Sequence, residues 1–287
     1  AFQYPVRRVT VETANGVVSD PSGACGPETD GTLEIAFGDV EGRHVSGVIV
    51  DGEKTVFAPG QTSVTLTIPE GDLAAAVSVQ PFVDWYVNPN TDATGGKIVG
   101  DDANDGAHPT TPKRTLQGVF GTGYVLAGDT VHAAEGVYDN GEDTVKKARV
   151  RVTSGTTLVA DAGPEKTFIV GRFAGTGSDA AHLGSSALRV AYVESNAKLS
   201  GFTLTGGATD VYSGSKTTGN DVYGGGAVIC GNDTGLVSDC IVSNNYSGIA
   251  ACLKGTYVRC RIVENCATKR ASAAQNVALH QCFIDRN

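Results

Sequence analysis

Methionine is absent from this chain and tryptophan occurs once. With Ala1 in first place, the lack of methionine reads as a processed or trimmed piece, with any signal sequence already removed. No apolar stretch approaches the ~18 residues a membrane-spanning helix needs. Basic residues never gather into more than short groups such as Arg7-Arg8, Lys146-Lys147 and Lys269-Arg270, and the net charge is -9. Nothing in that pattern follows a phosphate backbone, so nucleic acid is excluded as a partner. Charged residues are only 18% of the total, below the usual ~25%. The five histidines (His44, His108, His132, His182, His280) are isolated from one another, and no cysteine pair has zinc-binding spacing. No metal and no cofactor is expected on these grounds.

What the chain does have is glycine, 38 residues of 287, and a repeat. Cys-x-(Ile/Val)-x-x-Asn occurs as Cys240 to Asn245, Cys260 to Asn265 and Cys282 to Asn287. The cysteines stand 20 and then 22 residues apart, and the asparagine keeps step. A fixed period near twenty residues, made of a short β-type run closed by a turn-forming Asn, describes a coil of stacked strands with one rung per repeat. The period-2 rule sends Cys240, Val242, Cys260, Ile262, Cys282 and Ile284 to one face, the interior. Equivalent side chains then stack at the strand spacing of about 4.8 Å, and Asn245, Asn265 and Asn287 are expected to form an amide ladder at a turn. Six of the seven cysteines lie in the last sixty residues. Three occupy the inward repeat position, which favours stacked free thiols over inter-rung disulfides.

Residues 1–82 carry short alternating runs at Val9–Val11, Leu33–Phe37, Val45–Val50, Val64–Ile68 and Val77–Val79, separated by turn clusters. That density of strands fits a small immunoglobulin-like β-sandwich, with Cys25 alone and no Cys…Trp…Cys core. Residues 83–287 fit a right-handed parallel β-helix. Thr111-Pro112 reads as the start of a capping helix whose apolar stripe is Leu116, Val119 and Phe120. Later rungs are Thr157–Val159, Phe168–Val170, Leu188–Val190 and Leu199–Leu204, about eight turns at ~20 residues each. A Gly/Ser/Thr-rich excursion, 206–226, breaks the rhythm as an extra turn, a loop or both. The fold class is thus all-β, a parallel coil preceded by a sandwich.

From Trp85 onward the chain resembles the secreted right-handed parallel β-helix proteins of pectate-lyase-like shape. The resemblance is carried by Trp85-Tyr86-Val87-Asn88-Pro89-Asn90, Asp101-Asp102-Ala103-Asn104-Asp105-Gly106, Thr111–Gln117, Ala127–Val131 with Gly136-Val137-Tyr138, and Gly163–Gly171. It implies an entry strand, an acidic loop, a capping helix and first rungs. Gly224-Gly225-Gly226-Ala227-Val228 followed by Cys240–Asn245 is similar to the paired repeats of polymorphic outer-membrane adhesins, which implies a secreted or surface-displayed, adhesin-like or structural module.

Function is less marked than fold. Asp101–Gly106 reads as a turn and not a calcium loop, because position 103 is Ala and the acid expected after the Gly is Pro112. A lyase of this shape needs a Lys or Arg base beside carboxylates or Ca²⁺, and a hydrolase needs close carboxylates. Asn232-Asp233 has no partner motif for either, and Arg261 and Glu264 read as surface charges, so catalytic residues stay unknown. The candidate ligand-binding patch is Asp210, Tyr212, Lys216, Asp221 and Tyr223 in the excursion, which joins aromatic and charged groups as glycan-binding surfaces do. Expected partners are a polysaccharide, or a host or cell-surface glycan or protein. The alternative is a carbohydrate-active enzyme, a lyase on acidic polysaccharide, and only there would Ca²⁺ enter. Because the repeat runs to Asn287 with no polar cap, further rungs downstream or end-to-end self-association are expected.

Overall fold

The structure, a computed structural model, describes residues 9–12, 32–36, 43–50, 53–56, 63–67, 73–81, 83–211, 222–270 and 273–287. The chain divides into two compact units, Ala1–Val83 and Asp84–Asn287. In the first, Val9–Glu12, Leu73–Pro81, Arg43–Val50 and Glu53–Val56 form one sheet in that order, parallel only at the first pair. Thr32–Ala36 pairs antiparallel with Ser63–Thr67. Cys25 lies outside the described residues.

The second unit is a parallel β-helix with three faces. The first face stacks Asp84–Val87, Thr130–Ala133, Thr157–Ala160, Lys198–Ser200, Leu236–Ser238, Thr256–Val258 and Ala278–His280. The second stacks Gly136–Tyr138, Thr167–Val170, Thr203–Thr205, Ile241–Ser243, Arg261–Val263 and Phe283–Asp285. The third stacks Ala148–Val152, Arg189–Val193, Val228–Cys230, Cys252–Leu253 and Ala274–Gln275. Every pairing in these faces is parallel and in register, so each inward position becomes a column. Val131, Leu158, Leu199, Val237 and Tyr257 make one, and Tyr138, Ile169, Leu204, Val242 and Ile262 another. All ten are essentially inaccessible to solvent, which is where the hydrophobic stabilisation of the coil resides.

Fewer turns form than a uniform twenty-residue period predicts, because the early rungs carry long connections. Thr203–Thr205 pairs directly with Ile241–Ser243, so the 206–226 excursion adds no turn to the coil. A column of glycines brings the chain back from it. A Cβ on Gly207 would stand 2.1 Å from the Gly226 carbonyl oxygen, and one on Gly226 2.3 Å from that of Tyr246. Neither position admits a side chain.

The capping helix α1, Leu116–Phe120, buries Leu116, Val119 and Phe120 over the start of the coil. Its N-cap is Thr115, whose hydroxyl accepts from Gly118 N at 2.8 Å, and not Thr111. Two interactions delay the helix. Lys113 pairs as extended backbone with the entry strand, through Lys113 N to Tyr86 O and Asn88 N to Lys113 O. Asp102 then accepts from the Arg114 and Thr115 amides and the Thr115 hydroxyl.

Corners at both ends of the second face repeat one design. Asp239, Arg259 and Gln281 adopt left-handed backbone, with φ of 55, 51 and 54°, and each is followed by a repeat cysteine. Asn244, Glu264 and Arg286 do the same before the repeat asparagines, with φ of 55, 57 and 48°. Non-glycine residues pay a local strain there, and the side chain that follows offsets it. Asn265 Nδ2 shares its protons among Asn287 Oδ1 at 2.8 Å and the carbonyls of Val242 and Val263, each at 3.0 Å. Its Oδ1 accepts from Asn245 Nδ2 at 2.9 Å and Asn245 N at 3.2 Å. Asn245 repeats this one rung earlier and accepts from Gly207 N at 2.9 Å. The amide ladder therefore links successive rungs and starts where a glycine fills the asparagine slot.

Replacing Asn265 by Ala strands two buried carbonyls and two Asn245 donors, so unfolding free energy should fall by about 3 kcal/mol or more. Urea denaturation reads it, and a loss near zero would mean that the ladder is ornamental.

A second test concerns the corner charges. Arg259 donates to both Asp239 oxygens at 2.7 Å, and this hydrogen bonding, ahead of charge, holds Asp239 below the usual carboxylate range. A depressed acid stabilises the fold above its unfolded pKa, about 4, and loses that contribution as pH falls through the lower folded value. The pair is half-exposed, so the effect is small and salt-sensitive. In Arg259→Gln the fall of stability below about pH 4 should be shallower than in the parent chain.

Candidate functional site

Connections from the first face to the second are mostly two residues long, whereas those from the second to the third vary widely: Asp139–Lys147, Gly171–Leu188 and Gly206–Ala227 in the early rungs. These three consecutive connections meet at one depression of ≈ 270 Å³ on the outside of the coil. The first supplies Val145, Lys146 and Lys147, the second Ala187 with Arg189, and the third Ala208, Thr209, Asp210 and Val222. Tyr192 completes the wall from the third face.

The chemistry of the depression is cationic on an acidic protein. Three basic side chains face one carboxylate, Asp210, among apolar groups. Lys146 Nζ lies 4.6 Å from the centre of the Tyr192 ring, a cation–π contact that fixes the ammonium without neutralising it. Lys147 Nζ donates to Ser185 O at 3.2 Å. Arg189 is buried. The root of the third connection is pinned, since Thr209 Oγ1 donates to Tyr223 O at 3.1 Å and Gly248 N to the same carbonyl at 2.9 Å. A fixed cluster of cations is suited to hold an anionic group.

Of the expected excursion residues, Asp210 borders this depression. Tyr223 does not offer a ring to ligand: it is 8% exposed and packs with Ile249 and Ala250. Tyr212, Lys216 and Asp221 lie outside the described residues. Lys146, Lys147, Arg189 and Tyr192 were not expected together. They come from different rungs, and the only local signal was the Lys146-Lys147 pair.

A second cluster lies on the first face. His132 Nδ1 is 2.8 Å from Asp161 Oδ1 and its Nε2 is 3.4 Å from Asp84 Oδ1, with the Tyr86 ring stacked at 5.5 Å. Both ring nitrogens are engaged by carboxylates, so the imidazole clasps three rungs. The outward pair Arg151 and Glu194 is similarly engaged, with Glu194 also accepting from the Ser154 amide and hydroxyl at 3.0 Å. Glu264 pairs with Arg286 at 3.1 Å, and Asn232 closes a turn by accepting from Thr234 N and Oγ1.

The acidic loop 101–106 has its cation built in. Lys113 Nζ donates to Asp102 O at 2.8 Å and to Asn104 O at 2.6 Å, the kind of carbonyl oxygens a calcium ion takes. Asp105 is held below the usual carboxylate range by the Ala107 amide and then the Thr111 hydroxyl. Among the described residues no group of three or more His, Cys, Asp or Glu is placed to hold a metal. Adding Ca²⁺ or a chelator should leave the melting temperature unchanged, while Lys113→Met, which leaves both carbonyls without their donor, should lower it. A calcium-dependent rise would contradict this assignment.

No family model matches the chain, and no curated protein or solved structure does either.

Proposed function

We propose that this chain is an extracellular or surface-displayed, adhesin-like module. In this reading the coil is a rigid spine and the depression between the three long connections binds an anionic group of a glycan. The N-terminal β unit, read as an immunoglobulin-like sandwich, is the spacer or second contact. The observation that carries the reading is the gathering of Lys146, Lys147 and Arg189 around one cavity, from two successive rungs of a chain whose net charge is -9. Basic side chains on an acidic surface repel one another and are costly to cluster; a bound anion relieves that.

A second reading has the same cavity in its favour. Lysine or arginine beside a carboxylate is what a polysaccharide lyase uses to remove the proton next to a uronate, and Asp210 stands with the three cations. That enzyme could recruit Ca²⁺ through the substrate. Binding is preferred because the cations outnumber the carboxylate.

Calorimetric titration with defined acidic oligosaccharides, uronide or sulfated, tests both. Lys147→Ala or Lys146→Ala should weaken binding about tenfold, equivalent to 1.4 kcal/mol, and the affinity should drop with salt. Affinity unchanged in both variants would remove the site from the proposal. Ultraviolet absorbance from an unsaturated product, abolished by one of these substitutions, would replace the binding role with the lyase.

A further inference from the structure

The repeat cysteines form a column of their own beside the amide ladder. Arg261 N donates to Cys240 O at 2.9 Å and Phe283 N to Cys260 O at 2.9 Å, so Cys240, Cys260 and Cys282 occupy equivalent places on three consecutive rungs. Each thiol points inward over the same corner. Cys260 Sγ is 3.5 Å from both Val258 O and Val237 O, and Cys282 Sγ is 3.4 Å from both His280 O and Tyr257 O. Cys240 Sγ lies 3.1 Å from Ser238 O. None of the three is in a disulfide.

Adjacent parallel strands set equivalent Cα atoms about 4.8 Å apart, inside the 4.4–6.8 Å window that a disulfide spans. Cys240 is the foremost influence on the Cys260 thiol and lowers its pKa, whereas burial pushes the Cys240 thiol up. Cys282 is half-buried, whereas Cys240 and Cys260 are buried. We propose that this column is an oxidation site, in which Cys282 takes up oxidising equivalents from a small disulfide such as oxidised glutathione and passes them inward to an inter-rung bond between Cys240 and Cys260.

The exchange balances at each step. The Cys282 thiolate attacks one sulfur of the small disulfide, giving a mixed disulfide and one small thiolate. The Cys260 thiolate then attacks the Cys282 sulfur and releases the second small thiolate. Finally Cys240 attacks the Cys260 sulfur and frees Cys282. Two protein thiols lose two protons and two electrons, and the small disulfide is reduced to two thiols. Exchange requires the attacking, central and leaving sulfurs near one line, the order a column along the coil provides.

Cys230 and Cys252 are an internal control. Val228, not Cys230, is the register partner of Cys252. The two-residue offset separates their Cα atoms by roughly 8 Å, beyond the reach of a disulfide. The bond is specific to the repeat column.

The test is to incubate the reduced 287-residue chain with oxidised glutathione at about pH 8, where thiolates form, then alkylate it, digest it with trypsin and map it without reduction. Cleavage after Lys216, Lys254, Arg259 and Arg261 leaves Cys230, Cys240 and Cys252 on one peptide and Cys260 on another, and fragment-ion sequencing locates the bonded cysteine. A peptide pair joined through Cys240 and Cys260 is expected, with the mass of two hydrogens lost, a raised melting temperature and full reversal by reductant. Cys282→Ser should slow its formation several-fold, and Cys260→Ser should abolish it while leaving Cys240 open to alkylation. Glutathione retained on Cys282 with no inter-rung pair, or a bond within peptide 217–254 joining Cys230 to Cys252, would overturn the proposal.

Discussion

Register between parallel neighbours is the constraint on which the coil depends. Once rung follows rung at the strand spacing, every side chain meets its own equivalent above and below, and a slip by one residue would turn each inward column outward. The buried turns pose the harder problem, because their carbonyls face the interior with no strand to pair them. Asn265 meets it by reaching the carbonyl two residues back, the carbonyl one rung down and the next asparagine at once. A hydrophobic side chain of equal size would pack there but leave those oxygens stranded. The ladder thus fixes register through polar satisfaction where the apolar columns, built of interchangeable Val, Ile and Leu, fix it only through burial.

Earlier rungs meet the same demand with different residues. Arg149 is buried and donates to Val170 O at 2.7 Å, Gly141 O at 2.6 Å and Gly171 O at 3.3 Å, which closes the turn into the third face with one planar guanidinium. Burial, then the neighbouring Arg172, pushes its pKa down, and Glu142 pairs with Arg172 at 2.8 Å. Tyr138 ties the first rung to the entry strand through Val87 O and Ala134 O. Trp85 Nε1 donates to Asp129, whose carboxylate also caps Leu126 N. Such solutions are individual, and they have no period.

That difference explains what was legible in the sequence. Cys240, Cys260 and Cys282 with their asparagines show a coil because identical neighbours must repeat identical residues. The capping stripe of Leu116, Val119 and Phe120 was readable from its spacing, but the start of the helix was not. Thr111-Pro112 has the local chemistry of an N-terminus, and a backbone pairing from Lys113 to a strand some 25 residues away overrides it. The number of turns was overestimated because nothing local says whether 171–188 or 206–226 is strand or loop. The cationic depression was least visible of all. Its residues are close only after three rungs have stacked, and Tyr223, which looked like a ligand residue by composition, is used to bury the root of a loop.

The position of the depression follows from the same physics. Between the first and second faces, later corners are two residues long and are closed by left-handed backbone with a thiol over the carbonyls. An insertion there would break a column running the length of the repeat. The corner from the second to the third face carries its own column, the amide ladder, only from Gly207 and Asn245 onward, and the early rungs take long connections there at little entropic cost per added residue. Loops that leave successive rungs at one corner must lie side by side. Lys146, Arg189 and Asp210 are therefore neighbours because they lie along the one edge of the coil where the early connections vary in length, and a binding site on this architecture has its natural place there.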